Sequence, residues 1–175
     1  MRVLLITGLP GSGKSTLASI LARRYGVLLL GKDLIKEPLL DVLGSADAAH
    51  SKLLSDASFA VLFAVARQAL TTNPDLILEG NFRPGEHEAV LSLSSQARIM
   101  QVLCRVAEPT RLARLARRRQ DPARHTGHGD TDPAVVAQRS GDAFLALAGE
   151  RLTFDGGEST DARELEAIDR CWRSA

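Results

Sequence analysis

The stretch Gly8-Leu9-Pro10-Gly11-Ser12-Gly13-Lys14-Ser15-Thr16 fits the pattern G-x-x-x-x-G-K-[ST] at every fixed position. Its flanks are the ones that pattern requires. Before it, Val3-Leu4-Leu5-Ile6 is an unbroken apolar run, as expected of a strand buried on both faces of a parallel sheet. After it, Leu17, Ala18, Ile20 and Leu21 recur at helical spacing, and Gly26 offers a stop. A strand, a glycine loop and a helix in that order make a phosphate cradle.

The residue types carry the chemistry. Gly8, Gly11 and Gly13 permit backbone turns that let successive N–H groups converge on phosphate oxygens, and the following helix N-terminus adds partial positive charge there. Lys14 is expected to reach the β- and γ-phosphates, Ser15 to ligate Mg²⁺ and Thr16 to meet the α-phosphate, with Ser12 completing the cradle. The pattern implies a nucleoside triphosphate as ligand.

Working outward, 175 residues suit one domain with a sizeable core, and 45% hydrophobic with 25% charged residues is an ordinary globular composition. A net charge of +1 gives no global basic field for nucleic acid. Aromatic residues at 4% supply little material for stacking single strands. Cys104 and Cys171 form no C-x-x-C pair, which predicts reduced thiols and a cytoplasmic protein. No apolar run is expected to span a bilayer.

Along the chain, Val27–Leu30 reads as a second buried strand ending in Gly31-Lys32-Asp33, with a helix from Leu34 to Gly44. Asp33 then lies where open α/β sheets place their ligands, and is also a natural N-cap. A long helical pattern over 46–70 places Leu54, Ser58, Val61, Leu62, Val65 and Ala69 on one core stripe. Asp75–Phe82 predicts a third strand whose Glu79 is the candidate carboxylate for Mg²⁺. Asn81 and Arg83 follow at the same edge as candidate substrate contacts, and Pro84 opens a further helix.

Ala97–Cys104 predicts a fourth strand with Cys104 as a buried thiol. Glu108-Pro109 then opens a helix bearing Arg111, Arg114, Arg117, Arg118 and Arg119. A polar, turn-rich break over 120–130 follows, before a helix at Asp132-Pro133. Residues 108–133 together suggest a lid that closes arginines over the polyphosphate, with Arg114, Arg118 and Arg124 as the expected catalytic cations. His125 and His128 have H-x-x-H spacing but no partner cluster, so no metal is assigned to them. Arg151–Phe154 predicts a fifth strand, and the turn at Gly156-Gly157 could flank an adenine. Asp161 with Glu164 resembles a capping box for the last helix.

With the glycine loop, Asp33, Glu79-Gly80-Asn81 and the arginine-rich segment on the page, the whole chain resembles the small P-loop kinases of the AAA-type ATP-binding group. That neighbourhood includes chloramphenicol phosphotransferase, gluconate and shikimate kinases, zeta-toxin kinases and polynucleotide 5′-hydroxyl kinase domains. The resemblance implies an α/β fold, a three-layer sandwich with five parallel strands in order 2-3-1-4-5, helices on both faces and a helical lid. It also implies ATP and Mg²⁺ as cofactors, a small-molecule hydroxyl as acceptor, and Asp33 as the base or anchor for that hydroxyl. Lys32 beside Asp33 departs from the group's pattern and favours an ionised, orienting carboxylate. Glu in place of Asp at position 79 favours contact with Mg²⁺ through water. A polynucleotide 5′-kinase and a regulatory ATPase module are the alternative readings. The first calls for a basic groove, and the second for no acceptor pocket.

Overall fold

The computed structural model describes residues 1–44, 47–72, 75–120, 142–157 and 161–174. Five strands, β1 (Arg2–Thr7), β2 (Leu28–Gly31), β3 (Asp75–Glu79), β4 (Arg98–Arg105) and β5 (Arg151–Asp155), form one sheet in order β2-β3-β1-β4-β5. Every adjacent pair is parallel. The 2-3-1-4-5 order is thus the observed one. Helices α1 (Lys14–Tyr25), α2 (Lys32–Leu43), α3 (Ala48–Leu70), α4 (His87–Leu93), α5 (Glu108–Arg119) and α6 (Ala162–Ser174) connect and cover the strands. The expected lid beyond Gln120, with Arg124, His125 and His128, lies outside the described residues.

Alternation along the strands builds two cores. Val3 and Leu5 of β1 join Leu76 and Leu78 of β3 on one face, under Leu62, Phe63, Ala66 and Leu70 of α3 and Val90 and Leu93 of α4. Leu4, Ile6, Ile77, Met100 and Val102 face the other way, onto Leu17, Ala18 and Leu21 of α1 and Ile168 and Trp172 of α6. Central strands apolar on both faces are what a sheet with helices on each side demands. All five strand C-termini therefore open on the same edge.

Several local expectations need correction. β2 is not a buried strand: among the described residues it is an edge, paired with β3 alone, and Leu28 is 40% exposed. The helix after it begins at Lys32 with Gly31 as its cap, so Asp33 lies inside the first turn and does not cap it. The core face of α3 carries Leu54, Ser58, Leu62, Phe63, Ala66 and Leu70, while Val61 and Val65 are exposed. The Phe59 and Phe63 rings pack on Phe82, which turns the helix away from the valine stripe.

α3 is also long and apolar enough, at 23 residues with mean hydropathy 1.4 over its best window, to reach across a bilayer by length and composition. Here it is the crossover between β2 and β3, packed on the sheet. Pro84 opens a single 3₁₀ turn before α4 starts at His87. At α6, Asp161 accepts the N–H of Arg163, but Glu164 turns instead to the N–H of Asp155 at 3.2 Å, tying the end of β5 to the helix.

At the opposite edge of the sheet from the glycine loop, Arg2 joins three elements. Its guanidinium meets Asp75 at 2.5 and 3.0 Å, donates to the Trp172 carbonyl at 2.6 Å and lies 4.5 Å from the Trp172 ring centroid. Arg2 holds the Asp75 carboxyl below its ordinary range, chiefly through that hydrogen-bonded pairing. Arg2→Ala should lower unfolding free energy by about 2 kcal/mol, the scale of hydrogen bonds to charged groups, as read by urea denaturation at pH 7. Because the folded pKa of Asp75 is depressed, the difference between parent and variant should be full above the unfolded value and shrink as pH falls through the folded one.

Candidate active site

The glycine loop leaves β1 at Gly8 and enters α1 at Lys14. Gly8 adopts φ +139°, and a Cβ there would stand 2.3 Å from the Cys104 carbonyl oxygen of β4. Gly13, the residue before α1, sits at φ 93°, ψ 5° and offers no side-chain cap, and the first turn of α1 holds no acidic residue. The helix N-terminus is thus left with donor capacity and no acidic side chain of its own first turn to meet it, which suits an anion site. Ser12 is 1% exposed, and its Oγ has no hydrogen-bond partner among the described residues. Lys14 Nζ folds back onto the Leu9 carbonyl at 3.1 Å.

Register brings Glu79 beside this loop. Ile6 and Gly31 are its partners on the neighbouring strands, so Glu79 stands between β2 and β1 at the sheet's C-terminal edge. Ser15 Oγ donates to Glu79 Oε1 at 3.4 Å. Glu79 is 6% exposed, and burial raises its pKa, opposed by Lys14 and Lys32 and reinforced by Asp33. A hydroxyl and a carboxylate held side by side are hard oxygen donors, a set that fits Mg²⁺. Among the described residues no group of three His, Cys, Asp or Glu side chains forms a metal cluster. Any ion held here would complete its shell with waters or with ligand oxygens.

Asp33 stands across the edge at the start of α2, half-exposed, with Lys32 Nζ 3.1 Å from its Oδ1. Asn81 follows β3, and its Oδ1 is buried without a partner among the described residues. Arg83 is exposed and begins the 3₁₀ turn, its N–H donating to Glu86 at 2.6 Å. Cys104, directly behind Gly8, is buried, and its thiol is pushed up to about 12 by that burial.

The arginines of α5 do something the sequence did not signal. Arg111, 4% exposed, pairs with Glu108 at 2.6 and 2.8 Å and extends a weaker hydrogen bond to the Pro10 carbonyl at 3.4 Å. Arg114 donates to three backbone carbonyls: Gly11 at 3.3 Å, Gly156 at 2.5 Å and Gly157 at 2.8 Å. Both side chains therefore brace the loop from outside. Arg114, Arg117 and Arg118 line a cavity of about 290 Å³ whose other walls include Gly13, Thr16, Phe154 and Gly156-Gly157. Gly156 has no room for a side chain, since a Cβ would lie 1.9 Å from the Ser12 carbonyl oxygen. The tight packing of the β5–α6 turn on the loop was legible only as a Gly-Gly pair.

Residues 3–139 match the family described as AAA domain. The chain belongs to that AAA-domain family. Among solved structures it is similar to a candidate kinase from Chloroflexus aurantiacus J-10-fl, at 31% identity over 99% of this chain and 97% of that one, with a TM-score of 0.87. The fold is shared with Mycobacterium tuberculosis APS kinase, solved with AMPPNP and APS, at 20% identity, 96% and 95% coverage and TM-score 0.59. It is shared also with a gluconokinase from Sinorhizobium meliloti 1021, at 15% identity, 99% and 93% coverage and TM-score 0.60. No curated protein matches by sequence. The family member's architecture is therefore that of the small P-loop kinases.

Glu79 offers a test of the site's electrostatics that needs no ligand. A carboxyl whose folded pKa is raised weakens the fold when ionised, and this penalty fades as pH falls through the folded value. Glu79→Gln keeps the shape and an acceptor for Ser15. It should raise Tm at pH 8, with the gain diminishing toward pH 5. Differential scanning calorimetry across that range checks both the sign and the trend.

Proposed function

We propose that this AAA-domain protein is an ATP- and Mg²⁺-dependent kinase that transfers the γ-phosphoryl group to a hydroxyl of a small molecule. One observation supports this above the rest. The uncapped glycine loop, the Ser15–Glu79 pair at 3.4 Å and the half-exposed carboxylate of Asp33 share a single sheet edge. A site that only bound or hydrolysed nucleotide would have no use for the third of these.

In this reading the N–H groups of Gly11, Gly13, Lys14, Ser15 and Thr16 face the phosphates, while that of Ser12 donates to the Leu9 carbonyl at 3.1 Å and shapes the loop. Lys14 exchanges the Leu9 carbonyl for the β- and γ-phosphate oxygens, a stronger charge-assisted partner. Ser15 and Glu79 hold Mg²⁺, which when bound offsets charge on the β- and γ-phosphates. Asp33 accepts a hydrogen bond from the acceptor hydroxyl and aligns its oxygen with the γ-phosphorus. As the oxygen–phosphorus bond forms, the bond to the β-phosphate oxygen breaks, ADP leaves, and the hydroxyl proton passes to the Asp33 carboxylate. A loose transition state asks more for alignment than for strong basicity, which suits a carboxylate paired with Lys32.

The cavity between Thr16, Arg114 and Gly156-Gly157 is the proposed seat of the nucleoside. Arg114 shapes that wall through the three carbonyls, which supports a part for it in nucleotide positioning; Arg118 and Arg124 are the proposed cations for the transferring group. Asn81 and Arg83 are the proposed acceptor contacts on the opposite side.

Two variants test the assignment. Lys14→Ala should remove transfer and weaken ATP affinity while far-ultraviolet circular dichroism stays that of the parent. Asp33→Asn should cut transfer by about a hundredfold, the lower end of general-base effects, with ATP affinity within twofold. A coupled ADP-release assay over a panel of sugars, nucleosides and hydroxylated antibiotics, alongside calorimetric ATP titration, measures both. Full transfer by Lys14→Ala at saturating ATP would remove the basis of the proposal.

A further inference from the structure

Lys32 pairs with Asp33 and directly follows Gly31, where a Cβ would stand 3.3 Å from Glu79 Oε2. Its Nζ donates to Asp33 Oδ1 at 3.1 Å, yet its side chain is 16% exposed while that of Asp33 is 50% exposed. Side chains at i and i+1 of a helix do not face each other, so this contact requires Lys32 to fold back along the sheet edge. Gly80 makes the room. A Cβ on residue 80 would stand 3.3 Å from Lys32 Cβ and 3.2 Å from the Phe59 ring. The aliphatic stem of Lys32 packs over that gap and delivers the ammonium to the carboxylate, as long amphipathic side chains do.

The same charge reaches Glu79. Burial is the main cause of the raised Glu79 pKa; Lys14 opposes it, the charge of Asp33 adds to it, and Lys32 opposes it least. Two mutually repelling carboxylates are natural joint ligands of a divalent cation, which relieves the repulsion by entering between them. An Asp33 drawn into such a shell would lose the lone pairs that an acceptor hydroxyl needs. On the reading of Ser15 and Glu79 as the cation site and Asp33 as the acceptor's partner, we propose that Lys32 is a positioning residue. It holds Asp33 away from the cation and so keeps that carboxylate for the hydroxyl. A Lys32 that merely filled space would have no effect on cation affinity.

The test uses Mn²⁺ as the probe, with the whole chain and AMPPNP, and reads free Mn²⁺ by electron paramagnetic resonance. The parent should bind Mn²⁺ in a nucleotide-dependent way that Glu79→Gln weakens at least tenfold. Lys32→Met should tighten Mn²⁺ binding by about tenfold, since a charge within 4–6 Å of a carboxylate shifts its equilibria by one to three decades. Lys32→Arg should stay within twofold of the parent, and Lys32→Met made in the Asp33→Asn background should bring no gain over Asp33→Asn alone. If Glu79→Gln leaves Mn²⁺ binding unaltered, the cation-site reading fails and the role of Lys32 falls with it. If Glu79→Gln weakens binding but Lys32→Met leaves it unchanged or weaker, only the role of Lys32 is overturned. A gain that survives in that background overturns it too, because loss of positive charge alone, without recruitment of Asp33, would then account for the effect.

Discussion

The glycine loop must keep N–H donors turned outward for a ligand while the Ser12 N–H closes the loop on the Leu9 carbonyl, and that shape is unstable unless it is held from behind. Three neighbours hold it. The Cys104 carbonyl of β4 closes on Gly8, the Gly156 backbone lies against Ser12, and Arg111 packs on Gly11 while reaching Pro10. At Gly8 and Gly156 any side chain would occupy space already taken by a carbonyl oxygen, at 2.3 and 1.9 Å. The glycines are thus demanded by contact as much as by backbone angle. Much of the surrounding architecture, from the register of β4 to the turn fixed by Glu164, serves to bring these backbone groups into contact.

Burying Glu79 is the electrostatic counterpart of that constraint. A carboxylate buried between two strands at a sheet edge loses hydration, and the Ser15 hydroxyl at 3.4 Å does not replace it. Lys14 and, to a lesser degree, Lys32 offset part of the cost. An apolar residue at this position would make a more stable strand end. Retaining a poorly solvated acid next to an uncapped helix N-terminus makes sense where a cation completes the balance, and strain of this kind concentrates at functional sites.

Central strands were legible because an unbroken apolar run between turn formers has few other uses: β1 and β4 appear within a residue of their expected bounds, and β3 ends at Glu79, three residues short of Phe82. Lateral position was not legible. Val27–Leu30 is as apolar as a central strand, and only its single pairing partner makes it an edge. Likewise the sequence of α3 offers two plausible stripes. The choice falls to Phe59, Phe63 and Phe82, whose rings find each other across a sequence separation that no local pattern encodes. Asp33 was recognised as an edge carboxylate, but its place within the first turn depends on where β2 stops.

The arginines of α5 illustrate the same limit on the side of chemistry. From sequence, Arg111 and Arg114 belong to a cluster of positive charge, and charge suggests phosphate. In the fold their guanidinium groups act as multiple N–H donors on backbone carbonyls, and Arg111 is in addition neutralised by Glu108. An arginine has five donors in a planar fork, and a loop whose N–H groups point one way presents its carbonyls the other way. Such a loop therefore creates two complementary surfaces at once: a donor-rich inner one suited to anions, and an acceptor-rich outer one suited to arginine. Arginines beside a phosphate loop need not touch phosphate to matter for binding it, because by satisfying the outer carbonyls they hold the inner N–H groups in place.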